Sequence, residues 1–314
     1  MKLISVIAPM YNEELLVSEY CDITLNVLRS IEAYQHELIL VNDGSSDSTY
    51  SKMIETQLKF PNEIGVVCLT RNFGLEGAVS AGLRVAKGDV VVVMDADLQD
   101  PPELMRDMLV RLEAGADIVV ASRVKRSNDS TWKKVSANLY YKLLDGLSGK
   151  LKLEKSAANY RMLTRRALDK WLELPETNGV FRVTVPYIGM KVSTVQYDRN
   201  KRVAGKTKYH FKSMLKYALD SLTGISIEPL TEIMLTVPIC GGIVLLSIIG
   251  AVVFEGYWRM GCVVMSVLGF LFLLLFICIA TLGIYIGQIM LEVKHRPISI
   301  IYEYKPAQNI EKEK

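Results

Sequence analysis

The sequence predicts an α/β fold, a mostly parallel sheet with helices on both faces, followed by a C-terminal two-helix transmembrane hairpin. Three observations carry that prediction. Strand-like and helix-like segments alternate through the first 120 residues. The strand-like runs are continuously apolar, as in strands covered on both faces. Two long uncharged runs near the C-terminus each exceed the roughly 20 residues needed to span hydrocarbon.

In chain order, Ile4–Ala8 is a short β-branched run and Val17–Leu28 has helical spacing. Leu38–Val41 is apolar and stops at the turn sequence Asn42-Asp43-Gly44-Ser45. Ser46-Asp47 then stand as caps ahead of a second helix. Ile64–Leu69 reads as a third strand, Glu76–Val85 as a helix and Val90–Met94 as a strand buried on both faces. A helix at Glu103–Leu112 follows Pro101-Pro102, and Ile118–Val120 is a fifth strand. Beyond it the chain is mixed and basic, with helical spacing near 133–146 and a strand-like run at Val192–Tyr197. The expected organisation is a catalytic domain over 1–212 and an amphipathic helix at the membrane surface over 213–228. Two membrane helices occupy 229–290, at about 232–254 and 260–289, and a tail covers 291–314.

Charge and hydropathy agree with that division. Half of the residues are hydrophobic and 23% are charged, with a mean hydropathy of +0.22. That is too charged for a polytopic carrier and too apolar for a wholly soluble enzyme. Residues 1–120 hold 9 Lys+Arg against 19 Asp+Glu, a net −10; residues 121–216 hold 22 against 7, a net +15. A basic segment running into apolar helices suits anionic headgroups or a phosphorylated ligand, and disfavours nucleic acid. Only Glu255-Gly256-Tyr257-Trp258-Arg259 separates the two apolar runs, so both outer ends of the hairpin face one side. Lys294-His295-Arg296 makes that side cytoplasmic by the positive-inside bias. The opening Met1–Pro9 is too short for a secretory signal, and the five cysteines, none in C-x-x-C spacing, read as reduced thiols.

The chemistry lies in the loops after the strands, the edge where open α/β sheets bind ligands. Asp95-Ala96-Asp97-Leu98-Gln99-Asp100 follows the fourth strand. Two carboxylates at i and i+2 can meet one hard cation that also binds substrate phosphates, which suits Mg²⁺ or Mn²⁺. Pro9-Met10-Tyr11-Asn12-Glu13 follows the first strand, Asn42-Asp43-Gly44-Ser45-Ser46-Asp47 the second and Arg71-Asn72-Phe73-Gly74 the third. Four polar motifs on four successive strand ends converge on one crevice.

With these motifs in this order, the chain resembles the inverting family-2 glycosyltransferases of GT-A fold. More narrowly it resembles the polyisoprenyl-phosphate glycosyltransferases, which include dolichyl-phosphate mannose synthases and bactoprenol glucosyltransferases. The resemblance covers nearly the whole chain, hairpin included. It implies that Pro9, Tyr11 and Glu13 line a nucleotide pocket, that Asp43 reads the base edge, and that Arg71 lies beside them. It implies that Asp95 and Asp97 hold the metal and diphosphate with Gln99 near the ion. Arg123 matches an arginine near the acceptor phosphate, and Lys133, Lys134 and Ser136 fall where further acceptor contacts lie. Arg202 and Lys206, in Arg202-Val203-Ala204-Gly205-Lys206-Thr207-Lys208-Tyr209, match a basic motif at the mouth of the site. The implied catalytic set is Asp95, Asp97, Gln99, Arg123 and Arg202.

One position departs from the pattern. The family often has an acidic residue before its aromatic–arginine pair, and here Asn159-Tyr160-Arg161 stands. A lipid phosphate, with a second pKa of about 6, is already an anionic nucleophile at neutral pH. Positioning and charge stabilisation can then supply the catalysis without a base.

Other classes find no support. Gly205-Lys206-Thr207 lacks the earlier glycine of a P-loop, since Asn200 stands there, and no G-x-G-x-x-G follows the first strand. The three histidines have no metal spacing, and the Gln-x-x-Arg-Trp signature of processive synthases is absent. The expected reaction is one transfer, with inversion, of a sugar from a nucleotide diphosphate to a polyprenyl phosphate. Glucose from UDP-glucose and undecaprenyl phosphate are the first expectation; GlcNAc, galactose and mannose are open. The rivals are a same-fold transferase with a diacylglycerol or protein acceptor and a silent nucleotide-binding membrane protein. Copies of the hairpin would pack with one another as a homo-oligomer.

Overall fold

The computed structural model describes residues 1–123, 157–174, 181–198 and 256–308. Among these, eight strands form one sheet in the order β7-β5-β6-β4-β1-β2-β3-β8. The strands are β1 (Lys2–Met10), β2 (Tyr34–Asn42), β3 (Ile64–Leu69), β4 (Val90–Val93), β5 (Ile118–Arg123), β6 (Ala157–Thr164), β7 (Val192–Tyr197) and β8 (Ile301–Lys305). Six run in one direction; β6, antiparallel to β4 and β5, and β8, antiparallel to β3, run against them. The helices are α1 (Val17–Arg29), α2 (Thr49–Lys59), α3 (Leu75–Val85), α4 (Leu104–Glu113), α5 (Arg165–Leu172), α6 (Phe181–Tyr187) and α7 (Tyr257–Val293).

Alternation along the strands builds a core on each face of the sheet. Ile4, Val6, Ala8, Leu38, Leu40, Val90, Val92 and Met94 join one buried cluster with Tyr20, Leu25, Met105 and Met108. Ile7, Ile39, Val41, Val91 and Val93 join the other with Ala78, Ala81, Leu83 and Leu168. Both faces are covered, so the central strands can be apolar on both sides. At Gly82 of α3 a Cβ would lie 2.4 Å from Ile7 Cγ2, so the missing side chain lets the helix pack directly on β1.

All five expected N-terminal strands and the four helices between them are present. The second helix begins at Thr49 rather than directly after Asp47; the Asp47 carboxylate accepts from Thr49 N at 3.0 Å. The strand expected at Val192–Tyr197 is β7, which pairs parallel with β5. Two elements that the sequence did not announce complete the sheet. β6 enters between β4 and β5 and carries the buried Arg161, 2% exposed. β8 corrects the view of 291–314 as a simple tail. It covers the β3 edge, with Thr70 N donating to Ile300 O at 3.0 Å and Gln308 N to Pro61 O at 2.8 Å.

Two compact units are present: the sheet with its helices, which the chain rejoins at Arg296, and the long helix α7. Within α7, Val267–Met290 is 24 residues long with a mean hydropathy of 2.9 and is unburied. At 1.5 Å per residue it is about 36 Å long, enough to cross about 30 Å of hydrocarbon. The helical spacing near 133–146, the surface helix over 213–228 and the first apolar run lie outside the described residues.

Candidate active site

The loops at the carboxyl edge of the sheet interlock through side chains whose roles follow from their positions. Asn12 sits after β1 with φ 52°, a conformation that asparagine tolerates better than most residues. Its Oδ1 accepts from Ser46 N at 2.8 Å, while its own N–H donates to Ser45 Oγ at 3.0 Å. Glu13 N donates to Thr49 Oγ1 at 2.8 Å. The loops after β1 and β2 therefore form one wall. Tyr11 stands exposed on it, and Pro9 is buried in the strand below.

The loop after β3 is fastened to that wall by Asp43. Its carboxylate accepts from Phe73 N at 2.7 Å and from Gly74 N at 2.9 Å. Beside it Gly44 has φ 61°, and a Cβ there would lie 2.4 Å from the carbonyl carbon of Arg71. Only a residue without a side chain lets these two backbones meet in this conformation. Arg71 is exposed, with its guanidinium carbon 4.0 Å from the centre of the Phe73 ring. Asp43 was expected to read a base edge; the structure gives its carboxylate the further task of holding the Phe73–Gly74 backbone.

Asp95 and Asp97 begin the loop after β4, and both are half-buried, as is Gln99. Leu98 turns the loop with φ 55° and buries its side chain in the core, leaving its polar neighbours at the surface. Gln99 N donates to Asp97 Oδ1 at 3.2 Å. Among the described residues no group of three His, Cys, Asp or Glu side chains is placed to hold a metal. The donor set is instead two carboxylates and an amide oxygen. It fits a hard cation that takes its other ligands from substrate phosphates and water.

Arg123 ends β5 at the same edge. Its Nε donates to the Tyr197 hydroxyl at 3.2 Å and its Nη2 lies 3.5 Å from Asp100 Oδ1, which also accepts from the Tyr197 hydroxyl. Asp100 is 1% exposed. Asp100 and Tyr197 were not among the expected site residues. Asp100 lies in the acidic motif, but nothing local ties either residue to Arg123. Lys133, Lys134, Ser136, Arg202 and Lys206 lie outside the described residues. The structure thus brings Pro9, Tyr11, Glu13, Asp43, Arg71, Asp95, Asp97, Gln99 and Arg123 to one edge of the sheet, on five successive strand ends.

Residues 5–172 match glycosyl transferase family 2. The chain belongs to this family. Relatives span nearly all of it. The uncharacterized glycosyltransferase YkcC of Bacillus subtilis (strain 168) is 33% identical over 95% of this chain and 92% of its own length. The prophage bactoprenol glucosyl transferase homolog of Escherichia coli (strain K12) is 34% identical over 96% and 99%. Among solved structures, glucosyl-3-phosphoglycerate synthase from Mycobacterium tuberculosis superposes with a TM-score of 0.53. It was solved with Mn²⁺, UDP and glucosyl-3-phosphoglycerate, is 18% identical, and the match covers 72% of this chain and 80% of that one. The sheet therefore has the GT-A fold that the resemblance implied.

The burial of Asp43 has a measurable consequence. Burial, opposed by the Phe73 and Gly74 donors and by Arg71, pushes its pKa from 3.8 up to about 6. Between about pH 4 and 6 the folded state holds a proton that the unfolded state has released. Stability from this group is therefore present at low pH and is lost as pH rises through 6. The loop has the opposite preference, because a protonated carboxyl offers fewer acceptor sites to its two backbone donors. Nucleotide-sugar affinity measured calorimetrically between pH 5 and 8 should fall below pH 6 and hold steady above it. Asp43→Asn should flatten that profile; an unchanged midpoint in the variant would remove the assignment to Asp43.

Proposed function

We propose that this family-2 glycosyltransferase moves glucose from UDP-glucose to a polyprenyl phosphate, undecaprenyl phosphate first, at the cytoplasmic face of the cell membrane. The supporting observation is the joint placement of an acidic pair after β4 and a partly exposed arginine at the end of β5, on the same edge of the sheet, in a chain that also carries an apolar helix of spanning length. Proteins named bactoprenol glucosyl transferases, 34% identical over at least 95% of this chain, support a lipid-linked acceptor.

Pro9, Tyr11, Glu13 and Arg71 would line the nucleotide pocket, with Asp43 toward the base. Asp95, Asp97 and Gln99 would hold Mg²⁺ or Mn²⁺, which when bound neutralises charge on the departing diphosphate. Arg123, with Lys133, Lys134, Ser136, Arg202 and Lys206, would hold the acceptor phosphate. An acceptor phosphate oxygen attacks the anomeric carbon in line as the bond to the diphosphate breaks, so the centre inverts and UDP leaves with the electron pair. Asn159 lies on β6 two residues before Arg161, the partner of Val93 at the end of β4. An amide there supplies no base, and an anionic phosphate nucleophile needs none. The membrane hairpin would keep the site at the headgroup layer and pack with other copies of the chain.

Membranes carrying the chain, given a panel of nucleotide sugars, should produce a hexose-linked polyprenyl phosphate detected by mass spectrometry and cleaved by mild acid. An acid-stable diacylglycerol or protein product would replace the acceptor. Nucleotide binding that needs metal but yields no product would instead favour a silent protein, the reading that Asn159 supports.

A further inference from the structure

We propose that Asp100 and Tyr197 form a brace that positions Arg123 toward the acceptor phosphate, so that one buried carboxylate sets the acidic loop and the phosphate-binding arginine together. The proposal rests on the acceptor reading given above for Arg123. Three elements separate in sequence meet here: the loop after β4 supplies Asp100, the end of β5 supplies Arg123 and the end of β7 supplies Tyr197. The Asp100 side chain is fully buried, whereas that of Arg123 is 30% exposed. One side of the guanidinium is thus fixed inside the protein and the rest faces outward.

Of the five guanidinium N–H donors, that of Nε is used inward on the Tyr197 hydroxyl, and Nη2 lies in ion-pair range of Asp100 at 3.5 Å. The others stay with the outward part of a rigid planar fork that matches phosphate oxygens. An unbraced arginine would lose rotamer freedom on binding a phosphate; here that freedom is already lost before the ligand arrives. A buried ion pair kept only for stability gains little over apolar packing. A pair at the carboxyl edge with its cation partly turned outward gains a fixed direction.

The brace also spans the two substrates. Asp100 closes the loop that Asp95 and Asp97 open, and the buried Leu98 pins the turn between them. A displacement of the acidic pair therefore carries Asp100, and with it Arg123. Tyr197 and Asp100 are positioning residues, since they act through the arginine.

The test is a double-mutant cycle on the full-length enzyme in membranes, with initial rates measured against polyprenyl phosphate and separately against UDP-sugar. Tyr197→Phe removes only the hydroxyl. It should raise the KM for the lipid acceptor about tenfold, as loss of one hydrogen bond to a charged group does, while the KM for UDP-sugar stays within about twofold. Arg123→Lys keeps the charge but loses Nε and should raise the acceptor KM by itself. In that background Tyr197→Phe should add nothing, because its partner is gone. Asp100→Asn, which retains an acceptor oxygen for the tyrosine hydroxyl, should fall between wild type and Asp100→Ala, and it replaces Tyr197→Phe in the cycle if that variant does not fold. Effects that add in the double variant, or that raise both KM values alike, would overturn the brace. The two readings fail separately. A wild type that labels no polyprenyl phosphate removes the acceptor assignment, whereas additivity in a wild type that does label it removes the brace.

Discussion

Asp97→Ala is expected to reduce sugar transfer about a thousandfold. Removing cation-based stabilisation of a leaving group costs several kcal/mol, and each 1.36 kcal/mol is a factor of ten in rate. Asp97 is half-buried at the start of a loop whose later residues, Leu98 and Asp100, are buried, so its carboxylate is carried on a fixed backbone. Alanine removes the charge and the hydrogen bond that Asp97 accepts from Gln99 N, and leaves those buried anchors in place. The melting temperature should therefore stay near wild type while turnover falls. The same substitution should abolish the dependence of UDP affinity on Mn²⁺, a readout that does not need the acceptor. Transfer by the wild type that survives complete chelation of divalent cations would exclude the role assigned to Asp95 and Asp97.

The edge that carries this chemistry was legible in the sequence because each motif directly follows a strand whose own pattern is unambiguous. Val90–Val93 is four consecutive valines, so the carboxylates after it could only stand at a strand end. Pro9, Asp43, Arg71 and Arg123 follow the same logic on β1, β2, β3 and β5. β6 was not legible, because Arg161 interrupts its apolar pattern and a buried arginine is unusual. Nor could the sequence foretell what side chains do across distance. Asp43 reaches backbone donors 30 and 31 residues away, and the Tyr197 hydroxyl meets an aspartate 97 residues upstream. Asparagine, aspartate and glycine at positions 42 to 44 announce a turn, but not that Gly44 exists to let the Arg71 backbone approach. β8 illustrates the same limit at the scale of an element. Ile301–Lys305 has an alternating pattern, yet its partner β3 lies more than 230 residues earlier, and the segment follows a long apolar helix.

Truncation before Arg296 is expected to destabilise the catalytic unit by at least about 4 kcal/mol, reading each of four lost hydrogen bonds outside the β3–β8 ladder as roughly 1 kcal/mol net. The bonds concerned include Thr70 N to Ile300 O, Gln57 Nε2 to Lys305 O at 2.9 Å, Gln308 N to Pro61 O and the Tyr50 hydroxyl to Glu303 at 2.6 Å, together with the β3–β8 ladder. Ala307, fully buried, would also leave its place. Such a loss is a large part of the roughly 5–15 kcal/mol that holds a domain together, and for a unit of this size it lowers the melting temperature by about 10 °C. The damage extends past stability. β3 would present an unpaired edge, a template for association with other chains, so the truncated protein should aggregate where the full chain does not. It would also release the carboxyl end of β3, from which the Arg71–Gly74 loop departs. UDP affinity should therefore weaken even in the fraction that stays folded, since Ile298 O packs 3.1 Å from the Cβ position of Gly77, at the start of the helix that follows that loop. Scanning calorimetry, light scattering and UDP titration of the truncated protein read these three effects separately. An unchanged melting temperature would mean that the strand after the long helix merely lies on the sheet and does not hold it.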